Sequence, residues 1–287
     1  MSSNPDAPVV VTAALTGVLA NRKQCPAIPY TPVEIADEAL RAWDAGATVV
    51  HIHAREDDGS PTWSPDVFGE IKAEVRARCP IVLNFSTGSL EDDTTAQERM
   101  IREVRPDVAA LNMGTMNYAK YSRRTKQFVF DMIFPNPFSK ILRLLAVMNE
   151  TGVHPELECF DTGHTRSTEP LRDMELLRGP MEFNFVMGVL GGIPTSVEAL
   201  QLQASQVPAG SVWQVTGIGR VQWRMIASAL VLGGNIRVGL EDNFYLPGGE
   251  MASSNGELVE RAVRMTRDIG RRVASLEETR AALGLDA

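Results

Sequence analysis

The stretch "TVVHIHARED", residues 48–57, sets two of the chain's four histidines one residue apart, where an apolar run gives way to a polar loop. Residues two apart on an extended strand share a face, so His51 and His53 project their imidazoles in the same direction. Two converging imidazoles suit a borderline metal ion such as zinc. Two histidines that merely hydrogen-bond backbone at a strand end would read the same way, because so short a motif matches by chance. A third ligand separates the two readings, and "IRVGLEDN", residues 236–243, offers one. Arg237, Gly239 and Glu241 share a face there, with Glu241 at the C-terminal end of the strand. A His₂Glu set leaves coordination positions open to water or substrate, as catalytic rather than structural sites do.

Ligands this far apart in the chain meet only if the fold joins them. Strand-like segments begin near residues 8, 47, 80, 107, 154, 181, 211 and 235, each followed by helix-compatible sequence. The first helix shows the pattern: Thr31 is placed to cap, Pro32 opens the first turn, Glu34 completes a capping box and Gly46 stops the helix. Ser64-Pro65 opens the second in the same manner. Eight βα units predict an α/β fold, a (βα)₈ TIM barrel, as a single domain over residues 1–287. A doubly wound open sheet usually stops at fewer strands. In a closed barrel the eighth strand lies one strand away from the second, so Glu241 and the two histidines converge at the C-terminal mouth. Between strands four and five the reading places one helical segment, 136–151, and it ends the chain with a long helix from residue 255 to 274.

Other polar residues gather at the same mouth. "NFSTGS" ends strand three with Ser86, Thr87 and Gly88, and "LNMGTMN" ends strand four with Gly114, Thr115 and Asn117. Any one of these could simply cap the next helix, but their joint position favours binding the oxygens of a small substrate. Glu156 and Glu158 share a face of strand five, and a carboxylate pointing inward there needs a partner. "TGIGRVQW" carries Gly217, Gly219 and Arg220 after strand seven, where barrels commonly bind phosphate; this points to an anionic ligand such as coenzyme A. A buried Arg237 needs an anion, either Asp242 or a substrate carboxylate. His154 reads as a packing histidine and His164 as a marginal site candidate.

Composition excludes several classes. A hydrophobic share of 44% with 22% charged residues fits a soluble core-forming protein. The net charge of −8 and scattered basic residues leave no footprint for nucleic acid. No apolar run reaches bilayer length, and the N-terminus lacks a signal-type pattern, so the expectation is a cytoplasmic protein with no membrane partner. Cys25, Cys79 and Cys159 have no CxxC spacing and read as reduced thiols.

Taken together, "PYTPVEIADEALRAWDAGATVVHIHAREDDGSPT", "NFSTG", "NMGTMN", "PELECFDTG", "TGIGR", "IRVGLEDN" and "SNGELVERAVR" resemble the β-keto acid cleavage enzymes, from about Val9 to Ala282. The resemblance implies a zinc TIM barrel that condenses a β-keto acid with acetyl-CoA and releases acetoacetate and a new acyl-CoA. It implies Zn²⁺ on His51, His53 and Glu241, with Arg237 and Asp242 as the pair that activates the keto acid. Ser86 and Thr115 become substrate contacts, Glu158 an active-site carboxylate, and the assembly a homotetramer. One departure bears on substrate. The amine-substrate member of the family carries "TGAE" after its first strand, whereas this chain has "TGVL", so Leu19 stands where a glutamate would pair with an ammonium. Leu19 thus favours an uncharged or apolar tail, unless Trp63, Trp213 or Tyr245 form a cage for a quaternary ammonium. A metal-dependent hydrolase or aldolase on the same barrel, and a non-catalytic metabolite-binding barrel, are the other readings that the residues alone leave open.

Overall fold

The computed structural model describes residues 6–285, so the extreme ends of the expected 1–287 domain lie outside them. Its first half runs β1 (Val11–Ala14), α1 (Pro32–Ala45), β2 (Val49–Ile52), α2 (Pro65–Arg78), β3 (Val82–Phe85), α3 (Thr95–Val104), β4 (Val108–Asn112), β5 (Met116–Ser122) and β6 (Gln127–Phe134). There follow α4 (Phe138–Thr151), β7 (His154–Cys159), α5 (Thr162–Arg166), α6 (Thr168–Asp173), β8 (Glu182–Met187) and α7 (Val197–Ser205). The last elements are β9 (Val212–Gly217), α8 (Gln222–Val231), β10 (Asn235–Val238), α9 (Asn255–Asp268) and α10 (Leu276–Leu283). Eight parallel strands close into a barrel in the order β1-β10-β9-β8-β7-β4-β3-β2, which is the expected (βα)₈ architecture. β2 and β10 both pair with β1, as convergence of the histidines and Glu241 requires.

Local sequence explains the helix starts unequally. Thr31 accepts the Glu34 N–H while the Glu34 carboxylate accepts the Thr31 N–H, a complete capping box. Ser64 makes no side-chain cap bond, so α2 begins on the preset φ of Pro65 alone.

The barrel floor is apolar: Val10, Val49, Val82 and Val108 pack against Ala274 and Leu283. Above this layer the interior turns polar. His51 stands beside Asn84, Glu156 beside Ala110 and Glu182, and Arg237 between Thr12 and Thr216. Barrels usually fill these positions with branched aliphatics. A polar interior keeps its cost down only by internal pairing, so the arrangement of charges here is under strong constraint.

Two elements differ from the sequence expectation. Residues 116–134 form an antiparallel hairpin, β5–β6, rather than a connection leading to one helix. The final helix ends at Asp268, and after Gly270 at φ +85° the separate α10 brings Leu283 under the barrel floor. All three cysteines are free and buried, and among the described residues no helix is long and apolar enough to cross a membrane.

The two helix starts give a paired test. Thr31→Ala is expected to destabilise by about 1 kcal/mol, the usual worth of a satisfied cap, whereas Ser64→Ala should cost almost nothing. Denaturant midpoints of the two variants measure the difference, and equal losses would contradict it.

Candidate active site

The strand ends are pinned before any chemistry is placed on them. Thr16 Oγ1 donates to the His53 carbonyl at 2.8 Å and accepts the His53 N–H at 3.0 Å, fixing His53 just beyond β2. Asn255, at the start of α9, accepts the Leu240 N–H at 2.9 Å and so holds the residue before Glu241. Gly17 adopts φ +70°, and a Cβ there would lie 2.7 Å from Glu241 Cγ. The absence of a side chain at Gly17 therefore lets Glu241 lean over the mouth.

His51 Nε2 lies 3.7 Å from Glu241 Oε2, and His53 Nε2 lies 3.4 Å from Glu241 Oε1. Ligand bonds of about 2.0–2.2 Å in a tetrahedral shell place neighbouring ligand atoms about 3.3–3.6 Å apart, so the three groups have the spacing of a metal site. Glu241 Oε2 is buried without a hydrogen-bond partner, while Oε1 accepts from Arg237 Nη2 at 2.7 Å. One oxygen is thus tied and the other left for a cation. Burial would raise the Glu241 pKa, but Arg237, His53 and His51 outweigh it and hold the carboxyl well below its ordinary value. Burial, with Arg237 adding, pushes His51 well below its ordinary pKa, which leaves a neutral imidazole able to ligate. The donor set fits a zinc-like ion.

Arg237 is the hub of the site. Its Nε and Nη2 meet both oxygens of Asp242 at 3.0 Å, and Nη1 reaches Glu158 Oε1 at 3.4 Å. Asp242 is buried, and burial lifts its carboxyl to about 6 even though Arg237 pulls the other way. Burial likewise lifts Glu158 to about 8, with Glu156 adding. Two carboxyls next to one guanidinium therefore differ in proton affinity, which suits them to different tasks.

The remaining candidate residues divide. Ser86 is buried at the end of β3 and accepts the Gly88 N–H at 3.3 Å, with Asn112 and Phe134 next to Gly88. Thr87 instead donates to the Ala110 carbonyl at 2.5 Å, a packing bond between strands. Thr115 Oγ1 accepts the Asn136 N–H at 2.8 Å. Gly114 makes room for His164, whose Cδ2 would lie 2.4 Å from an added Cβ. The glycine loop after β9 is not a free anion nest: the Ile218 N–H goes to the Met187 carbonyl and the Gly219 N–H to the Asp242 carbonyl at 2.7 Å. Gly219 thus braces the backbone of Asp242, and Gly217 allows α8 to approach, since a Cβ would meet Gln222 Cα at 2.5 Å. Arg220 remains exposed, stacked 4.3 Å over the Tyr245 ring. Leu19 is 51% exposed in the bend after β1. Trp213 packs on Phe185 on the outer side of the barrel, so it cannot join a cage at the mouth. His154 is a packing residue: burial pushes it down to about 4, and it borders a cavity of about 370 Å³ at the opposite, N-terminal end of the barrel.

Sequence reasoning missed the hairpin's contribution. Tyr118 on β5 packs edge-on to Phe134 and Phe160, and the carboxylates Glu241, Asp242 and Glu158 reinforce the effect of burial in pushing its phenol up to about 12. The hairpin therefore carries an aromatic wall to the mouth beside these carboxylates. The aromatic and β-branched run of residues 127–134, "QFVFDMIF", was the available signal.

Residues 8–285 match the family model described as beta-keto acid cleavage enzyme. This chain belongs to the beta-keto acid cleavage enzyme family. It is 38% identical over 278 residues to the 3-keto-5-aminohexanoate cleavage enzyme of Fusobacterium nucleatum, covering 96% of this chain and 98% of that one. It is 32% identical to the 3,5-dioxohexanoate:acetyl-CoA acetone transferase of Paraburkholderia graminis, covering 96% of each. The apo structure of ObcA superposes with a TM-score of 0.75 at 21% identity over 91% of this chain and 66% of that one, a likeness of fold.

Gly17→Ala is the family member's sharpest backbone test. Positive φ costs an alanine roughly 1–2 kcal/mol, and its methyl would displace Glu241. The expected result is a folded, less stable protein with weakened Zn²⁺ retention on dialysis; unchanged retention would show that Glu241 needs no such clearance.

Proposed function

We propose that this protein cleaves a β-keto acid at the expense of acetyl-CoA, giving acetoacetate and a new acyl-CoA, with a divalent ion, zinc by preference, held by His51, His53 and Glu241. The observation that carries this reading is the adjacency of a His₂Glu set to a buried, Arg237-clamped carboxylate in a chain of this family. When bound, the ion supplies Lewis-acid polarisation of the keto acid's oxygens.

The chain's own groups account for the rest. Asp242, oriented by the fork of Arg237, takes a proton from the carbon between the carboxylate and the ketone. The resulting carbanion attacks the acetyl-CoA carbonyl and expels the coenzyme A thiolate. That thiolate adds to the distal ketone, and retro-Claisen cleavage yields the acyl-CoA and an acetoacetate carbanion, which recovers the proton from Asp242. Glu158, kept protonated near neutrality by burial, can donate a hydrogen bond to a substrate oxygen, with Ser86 on the neighbouring side of the mouth. Arg220, exposed at the rim after β9, is available to the phosphates of coenzyme A. No cysteine nucleophile is needed: Cys159 is wholly buried, and burial pushes its thiol far up.

The substrate tail is read as uncharged. Leu19 offers no counter-charge, and the wall of Tyr118, Phe134 and Phe160 carries no carboxylate of its own. The dioxo acid named for the Paraburkholderia relative has a neutral tail of this type, whereas the amino acid named for the Fusobacterium relative does not. An ammonium left unpaired is penalised more than a methylene is rewarded, so exclusion should be sharper than preference.

A panel of β-keto acids with acetyl-CoA, read out as acetoacetate, tests the assignment. Neutral substrates are expected to exceed 3-keto-5-aminohexanoate in kcat/KM, with Leu19→Glu narrowing the gap; efficient wild-type turnover of the amine would refute the tail assignment. Asp242→Asn should keep fold and zinc yet lose ~10²–10⁴-fold in kcat, the usual contribution of a general base. Near-normal turnover in that variant would move the base elsewhere.

A further inference from the structure

Glu156 takes no part in the chemistry described above, yet it is a wholly buried carboxyl in the middle of the barrel. It faces inward on β7, one layer below Glu158 and in register with Ala110 and Glu182. Asn84 Nδ2 on β3 donates to its Oε2 at 2.8 Å, and Gln214 Nε2 on β9 donates to its Oε1 at 2.6 Å. Two amides reaching in from different strands therefore fix the plane of this carboxyl. Its Oε2 lies 3.9 Å from His51 Nδ1. That nitrogen is buried and has no hydrogen-bond partner, while the other nitrogen of the same ring faces Glu241 Oε2 at 3.7 Å.

We infer that Glu156 is a positioning residue for the metal centre: it accepts the Nδ1–H of His51 and thereby fixes the tautomer in which Nε2 is free to ligate. The inference rests on the metal reading above. An imidazole that gives one nitrogen to a metal carries its proton on the other, and that N–H is almost always handed to a carboxylate, carbonyl or water, which orients the ring and raises its basicity. The 3.9 Å gap exceeds hydrogen-bond length by about 1 Å, so the inference requires the ring and the carboxyl to draw together when the ion binds. Asn84 is the competing acceptor. It stands beside His51 in register with its Oδ1 unpaired, while its Nδ2 donates to Glu156. In either geometry Glu156 anchors the arrangement, and the two acceptors make different predictions.

The test uses the full chain, stripped of metal and titrated with Zn²⁺ against a chromophoric chelator. Glu156→Gln is expected to retain its fold by circular dichroism and to bind Zn²⁺ about 10–100-fold more weakly, the usual loss for a partner of a ligating histidine. Glu182→Gln, a second buried inward carboxyl in the adjoining register position, should leave Zn²⁺ affinity unchanged. Glu156→Asp keeps the carboxyl but withdraws it from the ring, and should also weaken binding; it keeps the question open to refutation if the glutamine variant does not fold. In ¹H–¹⁵N histidine spectra of the Zn²⁺-loaded wild type, His51 should show a slowly exchanging Nδ1–H, and the Glu156 variants should exchange it faster. Wild-type affinity in a folded Glu156 variant, or equal losses in Glu156→Gln and Glu182→Gln, would overturn the inference while leaving the metal reading intact. Loss confined to Asn84→Leu would assign the acceptor to Asn84 and overturn it as well. A wild type that takes up no Zn²⁺ would instead remove the metal reading, and this inference with it.

Discussion

One guanidinium governs the centre of this barrel. Arg237 is almost wholly buried and touches Asp242, Glu241 and Glu158, so a single cation keeps three carboxyls within reach of one another. Without it the carboxyls would repel, and removing one partner from a buried ion pair typically costs about 3–5 kcal/mol. The arrangement also depends on shape. A planar fork can hold Asp242 with two parallel bonds while a separate N–H reaches Glu241, and a lysine ammonium cannot reproduce that geometry. Asp242 is fixed in direction by that fork, while burial lifts its proton affinity against the pull of Arg237.

The devices that hold this centre lie in the loops just beyond the strands, where the barrel carries its chemistry. Thr16 clamps His53, Gly17 gives Glu241 clearance, Asn255 holds Leu240, and Gly219 braces Asp242 through its carbonyl. Each of these sets a candidate residue, or the residue beside it, against another segment of the chain. The polar interior beneath, from Asn84 to Gln214, continues this scaffold downward until the valine floor closes it. The barrel thus gives up part of its aliphatic core for a rigid set of hydrogen bonds under the site.

Much of this was legible from residue order because it rests on periodicity and on side-chain type. The βα rhythm fixes strand order in a closed barrel, and strand order alone brings the HxH of residues 51–53 next to Glu241. The hairpin of residues 116–134 escapes a helix-period reading because its short apolar strands lie outside the βα rhythm of the barrel. The glycine loop after β9 looked like a phosphate cradle. Composition does not reveal where a backbone N–H points, and the amides of Ile218 and Gly219 go to protein carbonyls. Position alone does not reveal the protein contacts of Thr87 and Gly114: the Thr87 hydroxyl bonds the Ala110 carbonyl, and the missing side chain of Gly114 makes room for His164. Leu19 stands out only against the family pattern, since an apolar residue in a bend carries no signal of its own.

The central claim is that acetyl-CoA is consumed by carbon–carbon bond exchange in this site. Incubating the Zn²⁺-loaded protein with a neutral β-keto acid and acetyl-CoA labelled with ¹³C in both acetyl carbons tests it most directly, because the position of label records which bonds form. The account predicts acetoacetate labelled in its methyl and ketone carbons together with an unlabelled acyl-CoA built from the distal part of the keto acid. Labelled acetate with free coenzyme A, or a keto acid cleaved without transfer of label, would contradict it.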